Sequence, residues 1–153
     1  MTFMMLAIAA LLFGAVVSLL LSGSRRNGVS VVAAASVGVA AVLGLIPATQ
    51  VLAGGPALQL RYPWPVPFGE FFIQLDALSA WFLVPTLLLS ALCAIYGVGY
   101  LRSQAGNRSL CPHWFFYCLL VLGMTLVLLA RNVVLFLSAW ELMAVSSFFL
   151  VTF

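Results

Sequence analysis

Residues 123–147 read GMTLVLLARNVVLFLSAWELMAVSS. An unbroken apolar run ends at Ala130, the pair Arg131-Asn132 turns the chain, and a second apolar run starts at Val133. Each run is about 20 residues long, enough to cross the hydrocarbon core of a bilayer as an α-helix. In lipid, only helices and closed barrels satisfy their own backbone groups. Barrel strands alternate over short segments, whereas these runs are continuous, so the stretch reads as two antiparallel membrane helices joined by a very tight turn. The second helix carries one acid, Glu141.

The pattern repeats outward along the chain. Of its 153 residues 65% are hydrophobic and only 6% charged, too few to coat a soluble domain. Apolar runs over residues 2–21, 29–52, 77–101, 112–130 and 133–153 predict about five transmembrane helices, an all-α membrane protein with one transmembrane domain over 1–153. The first run has no basic segment before it and its arginines follow it, unlike a cleaved signal. Pro47 predicts a kink or early stop near the far end of the second run, and Pro85 frees the carbonyl of Trp81 within the third. Between the second and third runs, Gly54-Gly55-Pro56 and Pro63-Trp64-Pro65-Val66-Pro67 forbid a continuous helix. The alternation of Leu58-Gln59-Leu60-Arg61-Tyr62 and, weakly, of Phe72-Ile73-Gln74 allows a small β-hairpin on the membrane surface. There Tyr62, Trp64 and Phe68 suit the interface.

Charge is so sparse that each position carries information. There is no lysine, and the cations are Arg25, Arg26, Arg61, Arg102, Arg108 and Arg131. Arg25, Arg26, Arg102 and Arg108 fall in the connections after the first and third runs, with Arg61 and Arg131 on the other side. Cations favour the cytoplasmic face. The expected placement is therefore a multi-pass protein of the cell inner membrane, N-terminus outside and C-terminus inside. No basic cluster is interleaved with aromatics, which argues against nucleic acid. Cys93, Cys111 and Cys118 read as small apolar residues rather than a disulfide framework.

Glu141 is the residue that can carry chemistry. It lies nine residues past Asn132, about 13 Å deep at 1.5 Å of rise per residue. That is near the middle of a core about 30 Å thick. An acid there costs about 3 kcal/mol on insertion scales, so acids in membrane helices mark ion paths more often than packing. A carboxyl at that depth can take up and release a proton as its neighbours change, which a relay requires. Ser138 and Ala144 beside it are small and leave room for water or a partner helix. The alternative is a neutral carboxylic acid that hydrogen-bonds another helix. His113, at the mouth of the fourth run, is a candidate proton-entry residue or a plain interfacial histidine. Asp76 and Asn132 are placed to cap the third and fifth helices. Glu70 reads as a solvated loop charge. Cys111, His113 and Cys118 lack metal-site spacing. No metal or cofactor is expected, since phosphate-loop, dinucleotide, haem, iron–sulfur and nucleophile motifs are all missing.

Two stretches resemble the antiporter-like membrane subunits shared by respiratory complex I, multisubunit sodium/proton antiporters and membrane-bound hydrogenases. The first is Phe72-Ile73-Gln74-Leu75-Asp76-Ala77-Leu78-Ser79-Ala80-Trp81-Phe82, continuing to Ile95-Tyr96-Gly97-Val98-Gly99-Tyr100-Leu101. The second runs from Gly123-Met124 through Ala130-Arg131-Asn132 and Trp140-Glu141-Leu142-Met143 to Ser146-Ser147. The Ala-Arg-Asn turn and the Pro-Trp-Pro loop look most like the hydrogenase-4 component B and formate hydrogenlyase branch. In that family the Trp-Glu glutamate belongs to the proton pathway, and it matches Glu141. Members of the family carry many more helices, with transport lysines on later, broken ones. The resemblance therefore implies an N-terminal portion of a longer fold. It also implies partnership with other membrane subunits, including a chain supplying the missing helices. Two functions follow from it: part of a proton- or sodium-translocating subunit of a respiratory or hydrogenase complex, or a structural or assembly membrane-arm subunit. In either case the chain is a non-catalytic part of an oxidoreductase complex, with no redox centre of its own.

Overall fold

A computed structural model describes residues 1–21, 26–66, 69–104 and 109–152. The positions of Arg25, Phe68 and Arg108, and the side chains of Arg26, Trp64 and Arg102, lie outside the described residues. Among the described residues, five helices are long and apolar enough to cross a membrane: α1 (Thr2–Leu20), α2 (Arg26–Leu52), α3 (Ala77–Gln104), α4 (Cys111–Leu129) and α5 (Val133–Val151). Strands β1 (Leu58–Val66) and β2 (Gly69–Leu75) form an antiparallel hairpin between α2 and α3. The chain is a multi-pass membrane protein.

The helices end where the local chemistry makes them end. Helix α2 runs through Pro47 to Leu52 without the early stop that the proline suggested. Its terminus is set instead by Gly54, at φ 95°, a backbone conformation that costs glycine no steric clash. The Gly54 amide donates to the Val51 carbonyl and the Gly55 amide to the Gln50 carbonyl, closing the last turn in a Schellman arrangement. Helix α3 likewise continues through Pro85. In the hairpin, Leu58 faces Leu75 and Tyr62 faces Phe71, but the next pairing is Val66 with Gly69. The register shifts across Pro63-Trp64-Pro65 because proline has no N–H to give to a ladder.

Two apolar clusters hold the bundle. One gathers Ala33, Val37, Leu101, Leu110 and Trp114 where α1, α2, α3 and α4 meet. The other gathers Met4, Val51, Ile73, Leu75, Leu83 and Leu129 at the hairpin end. Three buried hydroxyls are satisfied within their own helix: Ser18 donates to the Gly14 carbonyl, Thr125 to Val121 and Ser146 to Leu142. Lipid offers no other partner, so this back-bonding is the economical solution. The indole N–H of buried Trp114 donates to the Ser30 hydroxyl across 2.9 Å, and the Tyr117 hydroxyl to the Ser90 carbonyl across 2.6 Å.

Candidate functional site: an acid on the open face of α5

The entry to α5 is built from several directions. Ala130 and Asn132 are both extended, so the three residues between α4 and α5 lie alongside β2. Ala130 bridges Ile73, and the Arg131 amide donates to the Phe72 carbonyl across 2.9 Å. The Arg131 guanidinium reaches the Asp76 carboxylate at 2.5 Å and donates to the Ser79 hydroxyl at 3.1 Å. That hydroxyl donates in turn to the Leu128 carbonyl across 2.7 Å. Asp76 Oδ1 also accepts from the Ser79 amide, which makes it the N-cap of α3. The hydrogen bond from the Ser79 amide, helped by the Arg131 charge and opposed by partial desolvation, holds the Asp76 carboxyl below the usual carboxylate range. Asn132 Oδ1 accepts from the amides of Val134 and Leu135 and caps α5.

From that entry α5 runs back across the bundle with α4 as its principal helix neighbour. Where they cross, a Cβ on Gly123 would stand 3.1 Å from Met143 Cβ and 3.2 Å from the Ala139 carbonyl oxygen. The missing side chain lets the two backbones approach. Ala139 and Met143 bracket Glu141, so Glu141 lies at the level of Gly123 but turns away from it. Glu141, Ser138 and Trp140 are all exposed, and α5 is the least buried of the five helices. Ser138, one turn before Glu141, donates to the Val134 carbonyl across 2.8 Å.

His113 is not brought to this site. It stands ten residues from Gly123 along α4, about 15 Å away by helical rise. Its ring meets Trp114 edge-on at 5.9 Å. Among the described residues no group of three or more histidine, cysteine or acidic side chains could hold a metal ion. Glu70 pairs with Arg61 across 3.4 Å on the hairpin, and Arg61 also lies over the Phe72 ring at 4.1 Å.

The chain is 30% identical over 140 residues to hydrogenase-4 component B of Escherichia coli, an alignment covering 92% of this chain and 20% of that protein. It is 35% identical over 81 residues to NADH-ubiquinone oxidoreductase chain 5 of Podospora anserina, covering 52% of this chain and 12% of that one. The chain matches an antiporter-like, complex I-type membrane subunit. A further relative, an uncharacterized protein of Mycobacterium tuberculosis, is 35% identical over 100 residues, covering 63% of this chain and 15% of the relative. No protein-family model matches. The chain thus spans about one fifth or less of the length of these curated relatives.

The partnership of Asp76, Ser79 and Arg131 goes beyond the sequence expectation, in which Asp76 is a cap and Arg131 part of a turn. A signal was present: with five spans, the starts of α3 and α5 fall on the same side of the membrane, and each bears one charge of opposite sign.

Proposed function

We propose that this chain is part of a proton- or sodium-translocating membrane subunit of a respiratory or hydrogenase complex, with Glu141 in the ion pathway. The observation that carries the reading is a single carboxyl, mid-way along α5, on an exposed face of that helix. Left in lipid, that acid costs about 3 kcal/mol. A water-lined path or a hydrogen-bonding partner helix removes the cost, and the water-lined path also lets protons reach the carboxyl. Ser138 supplies a second oxygen one turn away, and His113 stands toward the opposite end of α4 as an entry residue. The similarity to hydrogenase-4 component B and to a NADH-ubiquinone oxidoreductase chain supports the setting. It also supports a place among other membrane subunits, one of which supplies helices against the open face of α5. The arginine distribution supports an inner-membrane protein with the N-terminus and hairpin outside.

Glu141→Gln keeps size and hydrogen bonding but cannot titrate. In the assembled complex, reconstituted into vesicles, this variant is expected to lower coupled ion translocation by at least about tenfold, within the range of positioned acid–base groups. Glu141→Asp should keep part of the activity. Full translocation by the Gln variant, with assembly confirmed on a native gel, would make Glu141 a packing residue and favour the structural membrane-arm reading.

A further inference from the structure

We propose that the Asp76–Arg131 ion pair, joined through Ser79, is a positioning clamp that sets the depth of Glu141 in the membrane. This rests on the reading of Glu141 as a relay.

Helix α5 is packed on one side only among the described helices. A helix packed on several sides is locked along its axis by interdigitating side chains. Helix α5 leans chiefly on α4, with Phe149 stacked on Phe116 at 4.5 Å toward its far end and, at their crossing, a glycine against backbone and Cβ atoms. Such a contact fixes how closely the helices approach better than how far one slides along the other. Depth must then be set at an end. The Arg131 end is tied to three elements at once: to β2 through the Phe72 carbonyl, to the N-terminus of α3 through Asp76 and Ser79, and to the last turn of α4 through Ser79 and Leu128. One residue of slip moves Glu141 about 1.5 Å along the membrane normal. A carboxyl that exchanges protons with fixed neighbours is sensitive to displacements of that size.

The ion pair can be separated from the helix cap. Asp76→Asn retains a side-chain oxygen able to cap α3 while discarding the charge. Arg131→Gln discards the other charge without touching α3. Arg131→Lys restores a cation. Each is placed in the protein purified with its native membrane partners and carrying a spin label on Leu137→Cys, an exposed site one turn from Glu141. Label depth is read from collision with oxygen and with a nickel chelate.

Asp76→Asn and Arg131→Gln are expected to shift the label by at least one residue's rise, about 1.5 Å, and to lower translocation severalfold. Arg131→Lys is expected to hold both near wild type. A merely structural pair would reduce the yield of assembled protein while leaving the label depth unmoved, and that result overturns the clamp. A shifted depth with unchanged translocation overturns its role in transport. If Glu141→Gln is also fully active in that case, the fault lies in the relay reading rather than in the geometry.

Discussion

Asp76 shows how one side chain serves two elements. Its carboxylate accepts the Ser79 amide at the start of α3 and receives the Arg131 guanidinium at the start of α5. Both interactions need the charged form or favour it, so its folded pKa is depressed. A depressed carboxyl contributes stability that is complete above its unfolded pKa and is lost as pH falls through the folded value. The unfolded value is about 4. The thermal stability advantage of wild type over Asp76→Asn is therefore expected to be constant from neutral pH down to about 4 and to shrink below it. A thermal unfolding series of the two proteins against pH checks this, and an advantage that stays constant well below pH 4 would contradict it. The cap was legible in the sequence, since an aspartate directly before an apolar run is a common helix start. The ion pair lay 55 residues further along the chain and became visible only once β2 and the α4–α5 turn were seen side by side.

At the scale of elements, the five apolar runs announced the five helices, because lipid leaves the backbone so few choices. Their limits moved by a few residues only. The hairpin was legible in its alternation, but its bulge was not, since three residues of β1 stand against Glu70 alone. Pro47 left a kink or an early stop open; the stop does not occur, and α2 continues to Leu52, the end expected for that run. The crossing of α4 and α5 is a close contact between backbones. Gly123→Ala would place its Cβ against Met143 backbone and the Ala139 carbonyl, neither of which can turn aside. A destabilisation of about 1–3 kcal/mol is expected, as in other overpacked sites. It should appear as a lower unfolding temperature with the helical content of the folded protein unchanged. A variant as stable as wild type would show that α5 can back away from α4 freely.

For the whole molecule, geometry and charge bear on different questions. The hairpin and the α4–α5 turn share one end of the bundle through the Ile73–Ala130 bridge, and they do so in either orientation. Which face that end occupies is read from the arginines alone. In a variant without native cysteines, an impermeant thiol reagent added outside is expected to label Ala57→Cys and to spare Ser109→Cys, and the reverse pattern would invert the topology. The candidate site was legible as a residue, because an acid nine positions into an apolar run is conspicuous. Its surroundings were not, because they depend on what covers the open face of α5. That dependence makes a direct observation of the carboxyl the most telling test. Difference infrared spectroscopy of the assembled complex, recorded between resting and turning-over states, should show a carboxylic-acid carbonyl band that changes on turnover. The band should be missing from Glu141→Gln and shifted in Glu141→Asp. A band that persists unchanged in the Gln variant, or no carboxyl change at all in wild type, would contradict the assignment of Glu141 to the ion pathway.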